Sequence, residues 1–217
     1  MDVFELSEKF SKTFKIAKAN YIYDGDTSLQ VAQYYLEHFE KIDLSILDND
    51  DKKKTFWINI YNGLTNYLII KKELKTNMKE DSSFFKTNTI KIGKFYFSLD
   101  DIEHGLLRKN ARNHIKEQDQ KLQLQVNNLD YRIHFALNCG AKSCPAIANY
   151  TLANIHKELQ IAEITFSKEE FKVDNHDKTI ECSELFVWYR EDFIDTYLND
   201  VNLKDYTVKT IPYDWSI

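Results

Sequence analysis

The sequence predicts an α+β fold, a mainly helical single domain around a small, mostly antiparallel sheet. Three observations carry that expectation. Apolar residues recur at helical spacing through residues 3–16, 28–42 and 55–75. Two short stretches, 90–97 and 171–182, pair apolar residues across polar turns in the manner of hairpins. No repeat, low-complexity tract or linker divides the 217 residues, a length at which one domain buries roughly 70% of its unfolded surface.

Taken in order, Phe4, Leu6, Phe10 and Phe14 mark a first packing helix, and Leu29, Ala32, Tyr35, Leu36 and Phe39 mark a second. Together they make a helical amino-terminal arm, residues 1–47, ahead of a core at 55–217. The polar stretch Asp48 to Lys54 separates the arm from Thr55 to Lys75, the most apolar helix and the expected centre of the fold. A hairpin follows, with Ile90 and Ile92 facing Phe95 and Phe97 across Gly93-Lys94. Ser98 and Asp101 then resemble a capping box for a helix over Leu99 to Arg108. Residues 110–128 are polar and read as a solvated helix or excursion. From Tyr131 to Asn138 the alternation predicts a strand, with Tyr131, Ile133, Phe135 and Leu137 on one face and Arg132, His134, Ala136 and Asn138 on the other. Pro145 is placed to open a short helix. A helix over 152–166, a hairpin about Asn175-His176-Asp177, a helix over 184–198 capped by Ser183, and a closing strand with an aromatic end complete the chain.

Composition narrows the function. A net charge of -5, with lysines scattered among acids, leaves no basic field for nucleic acid. No run reaches membrane-spanning length, and the first residues lack the apolar stretch of a signal peptide. Three cysteines suggest reduced thiols in a cytoplasmic protein, unless an export leader has been trimmed. The expected partner is a small molecule or peptide, and the oligomeric state is open.

Four constellations could carry chemistry. In NCGAKSCP, a Cys144 at a helix start would have its thiolate favoured by unpaired N–H groups, and Cys139 would be a second thiol, a packing residue or a redox partner. Equally, both could be small buried hydrophobes. His134, with Arg132 and Asn138 on the same predicted face, offers a base, an anion contact and an orienting amide. Glu103 and His104, with Asp100 and Arg108, form a rival acid–base group or a solvated helix face. Asn59, Asn62 and Asn66 make a polar stripe on the central helix, available to an oxyanion or, more commonly, to adjacent backbone. Zinc held by His104, His134, Cys139 and Cys144 is a minor alternative because the spacing matches no compact zinc pattern. Phosphate loops and nucleophile elbows are absent, so no cofactor is expected.

FWINIYN at 56–62, SLDDIEHGLLR at 98–108, YRIHFALNCGAKSCP at 131–145, LFVWYREDF at 185–193 and YDWSI at 213–217 resemble the domain of unknown function 547 family. This resemblance spans about three quarters of the chain and implies that Asn59, Asn62, Glu103, His104, Arg132, His134, Asn138, Cys139, Ser143 and Cys144 converge. It names no reaction. One hypothesis is a cysteine-dependent hydrolase or acyl transferase acting on an amide or thioester, by analogy to papain and transglutaminase folds. There Cys144 attacks, His134 moves the proton, Asn138 or Glu103 orients it, and the Asn stripe binds the oxyanion. The alternative is a non-catalytic interaction module fixed by a buried polar network.

Overall fold

The computed structural model describes residues 2–146 and 148–217. Helix α1 (Val3–Asp24) buries Phe4, Leu6, Phe10 and Phe14 along one face. It stops at Gly25, whose φ of 72° lets its N–H close on the Tyr21 carbonyl at 2.9 Å. Helix α2 (Gln30–Phe39) buries Ala32, Tyr35 and Phe39, and its rings join those of α1, with Phe10 meeting Phe39 edge-on at 5.0 Å.

Helix α3 (Asp50–Lys71) is the centre of the fold, and every residue from Lys53 to Ile70 is buried. The polar stretch expected to separate it from the arm is instead its cap and first turn. Asn49 accepts the Lys52 N–H at 3.0 Å, and Asp50 and Asp51 face the positive end of the helix dipole. Gly63 lets α1 lie close, since a Cβ there would stand 2.4 Å from Phe10 Cδ1.

A short helix α4 (Phe84–Thr87) leads into the first hairpin, β1 (Thr89–Ile92) and β2 (Phe95–Ser98). Its register places Ile90 opposite Phe97 and Ile92 opposite Phe95, as the sequence predicts. The second sheet has the order β3-β4-β5. Strands β3 (Phe171–Asp174) and β4 (Thr179–Ser183) form the expected antiparallel hairpin, while the closing strand β5 (Thr207–Ile211) runs parallel to β4. Between them, α5 (Ile155–Glu170) precedes β3, and α6 (Glu184–Trp188) follows β4. Ser183 caps α6 by accepting the Leu185 N–H. That helix is shorter than the sequence suggests, and the chain continues through tight turns at Arg190–Asp192, Tyr197–Asn199 and Val201–Leu203.

The predicted strand over 131–138 does not form. Tyr131–Phe135 is a 3-10 turn in which the Ile133 N–H bonds the Asp130 carbonyl at 3.1 Å and the Ala136 N–H bonds the Ile133 carbonyl at 2.9 Å. Ile133, His134 and Phe135 are all buried, so successive residues point inward where a strand would alternate. Residues 110–128 are likewise an excursion of short turns, anchored by buried Ile115, Leu124 and Val126.

Two apolar clusters hold the domain. The larger surrounds α3 and takes in α1, α2 and the first hairpin. A smaller, ring-rich cluster joins Phe135 to Phe166, Phe186 and Phe193 beneath the second sheet. Among the described residues, no helix is long and apolar enough to cross a membrane.

Candidate functional site

The capping box at Ser98 forms as expected: the Ser98 N–H donates to Asp101 and the Asp101 N–H donates to Ser98 Oγ, at 3.2 and 3.0 Å. The helix it starts then widens. Over Asp101–Leu107 it is a π-helix, with the Arg108 N–H reaching the Glu103 carbonyl and the Asn110 N–H the Gly105 carbonyl, both at 2.8 Å. That wide turn buries Glu103, whose Oε1 accepts the Tyr189 hydroxyl at 2.5 Å and whose Oε2 accepts the Tyr61 hydroxyl at 3.0 Å. Burial pushes the Glu103 pKa up, but nearby His104 and His134 and the two hydroxyls outweigh it, so the group stays below its ordinary value. Burial drives Tyr61 and Tyr189 well above theirs, so both remain donors.

His134 donates from Nε2 to Asp192 Oδ2 at 2.7 Å. Asp192 also accepts Arg108 Nε at 2.6 Å and Nη2 at 3.2 Å. Burial raises the Asp192 pKa, yet bonds from His134 and Arg108 overcome this and hold it at about 2. The same burial lowers His134. The pair is therefore a carboxylate and a neutral imidazole whose lone pair is on Nδ1, a tautomer assigned from the bonding partners.

Arg108 Nη1 donates to His104 Nδ1 at 3.0 Å. Because a guanidinium only donates, the His104 ring proton sits on Nε2. His104 Nδ1 lies 3.7 Å from Glu103, too far for a hydrogen bond. Tyr189 ties the network together, stacking on His134 at 4.0 Å and lying 4.8 Å beneath the Arg108 guanidinium.

The loop carrying the cysteines differs from the expectation of free thiols. Gly140, at φ 94°, turns the chain back so that the Cα atoms of Cys139 and Cys144 lie 6.2 Å apart, and a disulfide joins them. The segment at Pro145 and Ala146 is irregular, so Cys144 does not start a helix there. Ile147 lies outside the described residues. The Tyr213 hydroxyl donates to Cys144 Sγ at 3.0 Å and stands 3.3 Å from Cys139 Sγ, while the Cys139 N–H donates to Cys144 Sγ at 3.0 Å. Cys182 is a free, buried thiol, pushed up to about 11 by burial.

A cavity of about 160 Å³ gathers Glu103, His104, His134 and Cys139 with Asp100, and its walls are Tyr61, Phe85, Trp188, Tyr189, Tyr213 and Trp215. Burial raises the Asp100 pKa, opposed by His104 and reinforced by Glu103.

The other predicted residues are engaged elsewhere. Cys144 and Ser143 line a separate cavity of about 660 Å³ against α5. Ser143 Oγ accepts the Asp214 N–H at 2.8 Å. Arg132 grips Asp130 at 2.8 and 2.7 Å, away from the smaller cavity. Asn138 bonds the Pro145 carbonyl at 2.6 Å and the Gly140 N–H at 2.9 Å, so it shapes the cysteine loop. Asn59 holds the Tyr150 carbonyl at 2.7 Å. Asn62 holds the Ala136 carbonyl at 3.0 Å and the Asn138 N–H at 2.8 Å. Both amides thus anchor the backbone beneath the site, and neither lines the cavity. Among the described residues, no group of three or more His, Cys, Asp and Glu side chains is placed to hold a metal ion.

Sequence reasoning missed Asp192, Tyr61 and Tyr189, and the outer rings Trp188, Tyr213 and Trp215. No local signal pointed to Asp192: the acid nearest His134 in the chain, Asp130, pairs with Arg132 and Lys54, and the partner of His134 comes from far along the sequence.

Comparison with family models matches residues 45–166 to the family described as a protein of unknown function, DUF547. The chain belongs to this family. No curated protein and no solved structure matches it. The DUF547 match covers Tyr61, Glu103, His104, His134 and Cys139, whereas Asp192 and the rings at 188, 189, 213 and 215 lie beyond it.

Proposed function

We propose that this DUF547 domain is a cysteine–histidine enzyme that transfers or hydrolyses an acyl group held as a thioester or amide, with Cys139 as nucleophile. The reading rests on one observation: Cys139 shares a cavity with a neutral histidine already oriented by a buried carboxylate. The disulfide holds the enzyme in an inactive form, and a dithiol reductant frees Cys139 and Cys144 by taking up the disulfide in exchange. His134 Nδ1 then accepts the Cys139 thiol proton while Asp192 fixes the ring through Nε2. The thiolate adds to the acyl carbon, and the His104 Nε2–H is the donor for the oxygen that gains charge. Collapse of the tetrahedral adduct expels the thiol or amine, which takes its proton from His134. Water or an amine then releases the acyl group by the same steps in reverse.

Intact-mass measurement on the reduced protein with an activated S-phenyl thioester tests this. One acyl adduct is expected in the wild type and in Cys144→Ala, none at position 139 in Cys139→Ala, and adduct formation slower by on the order of 100-fold in His134→Ala. An unmodified wild type with both thiols shown to be free, or an undiminished rate in His134→Ala, overturns the proposal.

A second reading, a non-catalytic module, draws on the saturation of the polar network: Glu103, Arg108, Asp192, Asn59 and Asn62 all have protein partners. It predicts that the reduced thiols label with iodoacetamide no faster than an ordinary cysteine at any pH, whereas the enzymatic reading predicts rapid labelling of Cys139 near pH 6.

A further inference from the structure

Glu103 is buried, yet no lysine or arginine among the described residues forms an ion pair with it. Its oxygens take only neutral tyrosine hydroxyls. An ionised carboxylate in such a place is costly unless a cation compensates it. The nearest basic group, His104 at 3.7 Å, is charged only when protonated, and Arg108, the permanent cation close by, is engaged by Asp192, Glu191 and His104. Around the same cavity stand Trp188, Tyr213 and Trp215, with ring centroids 4.8 to 5.7 Å apart. Such a wall of π-faces attracts cations. Two rings of the lining already do so: Lys79 lies 5.2 Å over Trp215, and Arg108 lies 4.8 Å over Tyr189. Asp100 adds a second carboxyl to the cavity. At about 160 Å³ the space admits a small organic group and no folded chain segment.

We infer that this cavity binds an alkylammonium group, with Trp188, Tyr213 and Trp215 around the cation and Glu103 as its counter-charge. A neutral ligand would bring no full positive charge to Glu103, and an anion would meet it directly. The inference deepens the acyl-transfer reading by naming the substrate class of the same site, and rests on that reading for its catalytic meaning. Binding itself does not need the thiol, so the disulfide-bonded protein separates the two.

Titration calorimetry of the full chain with its disulfide intact provides the test, using choline, n-butylammonium and 3,3-dimethylbutan-1-ol, the uncharged isostere of choline. At least one cation is expected to bind about tenfold or more tightly than the alcohol, and the preferred cation tells a quaternary from a primary ammonium. Glu103→Gln should remove most of that preference, and Trp215→Leu, at the half-buried rim of the cavity, should weaken the cation about tenfold should Glu103→Gln fail to fold. Equal affinity for alcohol and cation, no heat from either cation up to roughly 50 mM, or unchanged cation binding in Trp215→Leu overturns the inference. Ammonium binding without acylation of the reduced protein would sink the enzymatic reading alone, and acylation without ammonium binding would sink this one alone.

Discussion

Asp192→Asn keeps the side-chain volume and removes one charge from the middle of the buried network. Asp192 is 6% exposed and accepts His134 Nε2, Arg108 Nε and Arg108 Nη2 at 2.7, 2.6 and 3.2 Å. Its pKa of about 2, against 3.8 ordinarily, corresponds to about 2.5 kcal/mol of native stability at neutral pH, at roughly 1.4 kcal/mol per unit. Asparagine also leaves fully buried Arg108 without its main counter-charge, so the expected loss is about 3 kcal/mol. Because the folded pKa lies below the unfolded one, this stabilisation is complete above about pH 5 and is lost as pH falls from about 4 through about 2. His134 acts in the same direction: burial depresses its pKa, so acid costs stability once pH drops below its ordinary 6.5. Urea unfolding of wild type and variant should therefore differ by about 3 kcal/mol at pH 7 and by about half of that at pH 3. A difference under about 1 kcal/mol at pH 7, or one that does not shrink at pH 3, would refute the reasoning.

Three further outcomes follow from the packing. Asn66 is buried with both amide atoms unbonded, so Asn66→Leu should raise stability by about 1 kcal/mol in urea unfolding, and a loss would show the amide to be satisfied. Gly63→Ala should cost about 1 to 3 kcal/mol because its Cβ would meet Phe10 at 2.4 Å; pairing it with Phe10→Leu should recover part of the loss in a double-mutant cycle. Ser98→Ala removes the acceptor for the Asp101 N–H, and should cost about 1 kcal/mol and speed hydrogen exchange at that amide.

The helices and hairpins were legible because their apolar spacing and their caps agree. Phe4, Phe10 and Phe14 lie where a helical period puts them, and Ser98 with Asp101 announces the next helix start. The segment 131–138 misled because its alternation of polar and apolar residues is real, but no neighbouring strand is there to pair with it. Asp130 was the unread clue: its carboxylate accepts the Arg132 N–H at 3.2 Å and starts a tight turn instead. That change of backbone decides which neighbours His134 meets. It places His134 against Asp192 and Tyr189, 58 and 55 positions along the chain, which no local pattern could reveal. The widened turn after Asp101 was equally silent in the sequence, since a helical stripe reads alike whether carbonyls bond at i+4 or i+5. Glu103, His104, His134 and Cys139 were singled out by chemistry and do share a cavity. Cys144 was favoured for a helix start that the loop does not build.

The parallel pairing of β5 with β4 delivers Tyr213 and Trp215 to the cavity from the last residues of the chain. There the Lys142 N–H binds the Ser216 carbonyl at 2.8 Å, and the Met78 N–H binds the Trp215 carbonyl at 2.9 Å. During synthesis, therefore, Glu103, His134 and Cys139 all emerge from the ribosome well before the rings that enclose them. A nascent chain can build α3 and the first hairpin, yet it has no enclosed site until residue 215 is free to dock. Any chain truncated by proteolysis or a premature stop after β4 would keep Glu103, His104, Arg108 and His134 but lose Asp192, Glu191 and Tyr189 together with the rings of Trp188, Tyr213 and Trp215.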